Sequence, residues 1–260
     1  MTTSAARTTA KFAAGEDLIV FVHIPKAAGT AFNDVLRRVY GTGFLEYHPR
    51  FAGFDARELT AEQAAGIRAL SAHRGYGYHR MFGERVGPPH RRDGLFTGRT
   101  LRYVSILREP ADRLYSYYRF VSSNPKHRLH AELSGLAVED FFARLASLDH
   151  QACGNLQCRL IQGGREPHSA TAAIARVRER YEAVVTIGDM AGLIAYLART
   201  SGWALPDSAP PRRNVTPGVT DETDRAFVRA FTERHCAEDL ALYRYVAEEV
   251  SPRFALPAAG

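Results

Sequence analysis

Apolar residues along this chain fall into two arrangements. Three runs, Leu18 to Val22, Tyr103 to Leu107 and Ala183 to Ile187, are short, nearly continuous and rich in β-branched residues, the pattern of strands buried on both faces of a parallel sheet. Between and after them, apolar positions recur at helical spacing. This predicts helices over 32–40, 61–70, 111–121, 138–148, 155–161, 170–181 and 192–200, and two more within 221–250. Strands separated by helices imply an α/β domain, with a central parallel sheet, helices on both faces and ligands at the carboxyl ends of the strands. Two polar stretches rich in Pro, Gly and Arg, 83–99 and 206–219, predict surface loops able to close over a ligand. Residues 1–15 read as a flexible Ala/Thr-rich tail, and 16–255 as one domain without a dividing linker.

Composition narrows the class of partner. With 34 Lys+Arg against 28 Asp+Glu the net charge is +6, which favours acidic ligands such as nucleotides and sulfated or uronate-bearing glycans. No basic-aromatic pattern or zinc-finger spacing points to nucleic acid. No apolar run approaches the ~20 residues that span a bilayer, and the first 15 residues lack the apolar centre of a secretory signal. Three cysteines, Cys153, Cys158 and Cys236, contain no C-x-x-C pair, so neither a disulfide framework nor a thiolate metal site is expected. A cytoplasmic location follows from that count.

Candidate chemistry concentrates where two of the strands end. The run Leu18 to Val22 feeds into His23-Ile24-Pro25-Lys26-Ala27-Ala28-Gly29-Thr30-Ala31-Phe32. A strand, a tight turn and a helix start make an anion cradle, because unpaired helix N–H groups and the helix dipole converge there and Lys26 adds a full charge. Only Lys11, Lys26 and Lys126 are lysine in a chain that otherwise uses arginine, and a compact ammonium is not interchangeable with a guanidinium. The second strand runs into Arg108-Glu109-Pro110-Ala111-Asp112-Arg113-Leu114-Tyr115-Ser116. Pro110 suits the first helical position, leaving Arg108 at the strand end to reach a phosphate bidentately. Arg108 paired with Glu109 or Asp112, with Ser116 an ordinary helical serine, is the structural alternative.

Taken together, P-K-x-x-G-T followed by R-x-P-x-x-R-x-x-S-x-Y resembles the sulfotransferases that use 3′-phosphoadenosine-5′-phosphosulfate (PAPS), in particular the carbohydrate branch that includes heparan sulfate 2-O-sulfotransferase. The resemblance implies a P-loop-like sulfotransferase fold and PAPS as co-substrate, with no metal. It assigns Lys26, Ala27, Ala28, Gly29, Thr30 and Ala31 to the 5′-phosphosulfate and Arg108 and Ser116 to the 3′-phosphate. The family's loop often carries Ser where Ala31 stands. Arg212 and Arg213 would cover the nucleotide, as a basic loop does in related enzymes, and the acceptor would be a hydroxyl of a carbohydrate or glycosylated small molecule, possibly anionic.

Transfer to an alcohol needs a base, and histidine titrates near neutrality. Ala72-His73-Arg74-Gly75-Tyr76-Gly77-Tyr78-His79 resembles the family's G-H-x-x-Y-G-x-H segment, in which the first histidine is the base. His73 therefore takes that role, with His79 the alternative, and Lys26 is the second catalytic residue. In Asn155-Leu156-Gln157-Cys158-Arg159, Asn155 and Arg159 match a family helix that faces the cleft, Arg159 gripping an anionic acceptor or buttressing the fold. Two rival readings stand: a phosphoryl transferase with a variant P-loop, which needs Mg²⁺ and acidic residues to hold it, and a non-catalytic nucleotide- or glycan-binding module. In a Walker A loop the lysine would follow the glycines and directly precede Ser or Thr. Here it precedes them.

Overall fold

The computed structural model describes residues 17–48, 55–83, 94–96, 98–148, 150–164, 167–204 and 221–256. The N-terminal tail, Arg212 and Arg213 and most of the two expected loops lie outside these residues. In chain order the strands and α-helices are β1 (Asp17–Val22), α1 (Gly29–Tyr40), β2 (Phe44–Tyr47), α2 (Ala61–Gly66), β3 (Ala69–Ala72), β4 (Thr100–Leu107), α3 (Pro110–Ser123), α4 (His130–Leu133), α5 (Val138–Leu148), α6 (His150–Cys153), α7 (Leu156–Gln162), α8 (Ala170–Arg180), β5 (Tyr181–Thr186), α9 (Met190–Ser201), α10 (Glu222–His235) and α11 (Ala237–Tyr245).

The five strands form one sheet in the order β2-β3-β1-β4-β5, with every neighbouring pair parallel. Successive residues of β1 point to opposite faces. Leu18, Val20 and Val22 pack with Tyr103 and Val184 against Leu160 of α7, Val177 of α8 and Leu242 of α11. Ile19 and Phe21 pack with Val104, Ile106 and Val185 against Phe32 and Leu36 of α1 and Leu193 and Leu197 of α9. Helices therefore cover both faces, as the strand pattern implies. A separate apolar cluster joins α3, α5 and α10 through Leu114, Val121, Phe141, Phe142 and Val228.

Connectivity positions the site. From β1 the chain passes to the sheet edge at β2, returns to β3 and then crosses to β4 on the other side of β1. The winding reverses between β1 and β4, and the crevice beyond their carboxyl ends is where open parallel sheets take ligands.

One expectation is corrected. The stretch 61–70 is not one helix: a capping box between Thr60 and Gln63 starts α2, which stops at Gly66, and Ala69–Ala72 is a fully buried strand. Four small or apolar residues fit both periods, and sheet pairing with β1 and β2 decides for the strand. β2 is a further strand that the apolar pattern does not reveal.

The opposite end of the sheet is pinned by Arg102, a buried arginine in β4. Its Nε donates to Glu182 Oε2 at 2.6 Å and its Nη2 to Thr200 Oγ1 at 2.6 Å, and Asp17 lies 3.5 Å away. These contacts tie β1, β4, β5 and the end of α9 together.

Candidate functional site

The turn after β1 is built from an unusual backbone. Ala27 N–H donates to Ile24 O at 3.3 Å, closing a four-residue turn with Pro25 second and Lys26 third. Proline presets the second position, and Lys26 at φ 69° takes the left-handed conformation that type II turns give to glycine. Ala28 follows at φ 60°, ψ 13° as the N-cap of α1. Two left-handed non-glycine residues cost of the order of 1–3 kcal/mol each. In exchange, alternating handedness aims successive N–H groups at one point, an anion-binding nest. The N–H groups of Lys26, Ala28, Gly29 and Thr30 have no hydrogen-bond partner among the described residues. Gly29 is required for a steric reason, since a Cβ there would fall 2.0 Å from the His23 ring.

Arg108 closes the crevice from β4. Its Nη1 donates to Lys26 O at 3.2 Å, so the two strand ends are in direct contact. The structural alternative for Arg108 is not realised. Glu109 instead caps α3 by accepting from Asp112 N at 2.7 Å, and Asp112 pairs with Arg225 at 2.9 Å. Pro110 is the first residue of α3. Lys26 Nζ lies 4.1 Å from the Phe120 ring centroid. Ser116 stands one helical turn before Phe120 and shares its face, so that face of α3 is turned to the Lys26 loop. Among the described residues, neither Lys26 nor Arg108 forms an ion pair with a carboxylate. Burial and then the nearby Arg108 charge bring the Lys26 ammonium down to about 8.

Three adjacent strands each end in a histidine. Val22, Ala72 and Tyr47 are in register across β1, β3 and β2, and the residues that follow them are His23, His73 and His48. The His23 and His73 rings are 4.2 Å apart, edge to face, and His48 and His73 are 5.7 Å apart. His23 is buried against Phe21, while His73 keeps an exposed side. Burial, then the charges of His73 and His48, push His23 well below the usual imidazole range. Its enclosed side and then His48 lower His73 from the usual imidazole range. His79 lies elsewhere: it is buried, its Nδ1 is hydrogen-bonded to Tyr103 OH, and it borders a cavity lined by Arg99 and Leu101 at the start of β4.

The structure thus sets the turn Lys26 to Ala31, Arg108 and His73 at neighbouring strand ends, and helical spacing puts Ser116 on the face of α3 whose Phe120 meets Lys26. Of the residues expected on α7, Asn155 turns to the scaffold, accepting from Asp239 N at 3.0 Å, and Arg159 is half-buried on that helix. From the sequence Phe120 reads as a helix-packing aromatic, whereas its ring lies under the Lys26 ammonium; His48 and Gln157 are given no role there. A histidine directly after a buried strand is the signal that would have exposed His48, had β2 and β3 been legible. Cys153, Cys158 and Cys236 are free and buried. Among the described residues no group of three or more His, Cys, Asp or Glu is arranged to hold a metal ion, and no helix is long and apolar enough to cross a membrane.

A crevice whose N–H groups and two cations have neither hydrogen-bond partner nor carboxylate ion pair, respectively, among the described residues, with an imidazole beside them, suits a polyanionic ligand such as a phosphosulfate. Comparison with known proteins bears on which. Residues 11–157, more than half of the chain, match the model of the family described as "Sulfotransferase family". No curated protein matches the chain. Among solved structures it is similar to the mouse sulfotransferase SULT7A1 complexed with PAP, at 14% identity and a TM-score of 0.42, over 90% of this chain and 76% of that one.

Proposed function

This chain belongs to the sulfotransferase family, and from that premise we propose that it transfers a sulfuryl group from PAPS to a hydroxyl of a carbohydrate, a glycoconjugate or a glycosylated small molecule. PAPS, when bound, supplies the sulfuryl group and leaves as 3′,5′-adenosine bisphosphate. The turn N–H groups, Lys26 and Thr30 hold the 5′-phosphosulfate, and Arg108 and Ser116 hold the 3′-phosphate. His73 removes the hydroxyl proton as the acceptor oxygen bonds to sulfur and the bond from sulfur to the 5′-phosphate oxygen breaks. Lys26 and the nest stabilise the charge that develops on the departing phosphate, the preorganised electrostatics on which such transfers rely.

One observation supports the reading most: Arg108 touches the strained Lys26 turn at the switch point of the sheet, with His73 alongside through His23. The carbohydrate acceptor and the branch that includes heparan sulfate 2-O-sulfotransferase rest on the motif resemblance at residues 23–32, 72–79 and 108–118. The test is transfer of sulfur-labelled sulfate from PAPS to a panel of glycans and glycosylated metabolites, run with His73→Ala beside the wild-type protein. The reading expects labelled product from the wild type and a loss on the order of a hundredfold or more with His73→Ala, the range of general-base catalysis, while bisphosphate binding is retained. An active His73→Ala would remove the base, and a panel without product would remove the acceptor class.

A further inference from the structure

Arg108 is held not only by its own strand but by a buried amide on α7. Gln157 is fully buried, and its side chain meets the Arg108 backbone at two points. Arg108 N–H donates to Gln157 Oε1 at 3.1 Å, and Gln157 Nε2 donates to Arg108 O at 2.9 Å. A flipped amide would set donor against donor and acceptor against acceptor, so the pairing fixes its own orientation. The clamp falls on the first residue after β4, where strand pairing has stopped and α3 has not begun.

Gln157 is itself anchored from α11. The carboxylate of Asp239, also fully buried, accepts from Gln157 N at 3.0 Å and Cys158 N at 2.7 Å. In return, Asn155 Oδ1 accepts from Asp239 N at 3.0 Å. The two helix starts cap each other, and Gln157 carries their rigidity to the strand end. The proposed catalytic chemistry does not call on this network.

We infer that Gln157 is a positioning residue for the 3′-phosphate: it fixes the Arg108 backbone so that the guanidinium meets that phosphate. This rests on the proposed role of Arg108. A residue serving the fold alone would not distinguish nucleotides with and without a 3′-phosphate, whereas a residue acting through Arg108 must.

The test uses the full chain and measures dissociation constants of 3′,5′-adenosine bisphosphate and AMP by titration calorimetry. Wild type, Arg108→Ala, Gln157→Met and the Arg108→Ala/Gln157→Met double variant are compared. Gln157→Met keeps the volume and loses both hydrogen bonds. The expected result is a loss of about tenfold in bisphosphate affinity, the scale of a lost hydrogen-bonded pair, with AMP nearly unchanged and the double variant no weaker than Arg108→Ala. If Gln157→Met does not fold, Gln157→Glu, which keeps an acceptor for Arg108 N–H and lacks the donor to Arg108 O, is expected to show the same selective loss. An unchanged preference for the bisphosphate, an equal loss for both nucleotides, or additive losses in the double variant would each overturn the inference. No preference in the wild type would instead overturn the role of Arg108, and this inference with it.

Discussion

Lys26 carries two burdens at once. Its backbone occupies a conformation that disfavours any side chain, and its ammonium, packed over Phe120 and facing Arg108, is brought down to about 8. Neither condition stabilises the free protein; an anion in the crevice would favour the charged ammonium and, by accepting from the N–H groups of the turn, offset the cost of a backbone conformation that it leaves in place. Lys26→Ala is therefore expected to cut turnover by on the order of a hundredfold or more, as removal of an oxyanion donor does, while weakening product binding much less. Rate assays beside bisphosphate titrations measure this, and near-normal turnover would contradict it. The histidines give a second residue-scale prediction. His79 is lowered to about 4 by burial and then by Arg80, and His23 lies well below the usual value. The unfolded chain takes up protons near pH 6.5, whereas the native state does so only below the depressed values. Stability is therefore complete above about pH 6.5 and declines as pH falls toward about 4. Melting temperatures across that window should fall for the wild type and fall less steeply for His79→Gln; a flat wild-type profile would refute the assignment.

At the scale of elements, the site is an arrangement of strand ends. Three parallel strands each deliver a histidine to one edge, a fourth delivers Arg108, and α1 and α3 present their starts to the same crevice. The other end is locked by Arg102, whose loss would leave Glu182 and Asp17 without their buried partner. Arg102→Met is expected to cost about 3–5 kcal/mol, the usual penalty for breaking a buried ion pair from one side, measured by denaturant unfolding. Bisphosphate binding by the folded fraction should persist, because the two ends of the sheet are separate. Much of this arrangement was legible in the sequence. The runs at 18–22 and 103–107 announced themselves because strands buried on both faces must be apolar throughout, and Pro110 marked the start of α3. The strand at Ala69–Ala72 was not legible, since four small or apolar residues after a capped helical turn satisfy both periods. With it went the row of histidines, which exists only once β2 and β3 lie beside β1. The clamp of Gln157 on Arg108 was hidden for a related reason: 49 residues separate the partners, and only packing brings them together.

Over the whole molecule, the account joins a parallel sheet with helices on both faces, a reversal of winding beside β1 and, at that reversal, positive groups that form no ion pair with a carboxylate among the described residues. The family membership sets the class of chemistry, and the central claim is that the crevice reads a nucleotide carrying a 3′-phosphate. The most direct measurement is thermal melting without divalent metal in the presence of 3′,5′-adenosine bisphosphate, AMP or ATP, with Mg²⁺-ATP as a further arm. A ligand at about 100 times its Kd stabilises the native state by roughly 2.7 kcal/mol. The bisphosphate should therefore raise the melting temperature clearly, AMP at the same concentration much less, and Mg²⁺ should give ATP no advantage. Equal shifts from AMP and the bisphosphate, or a strong response to Mg²⁺-ATP alone, would contradict the account.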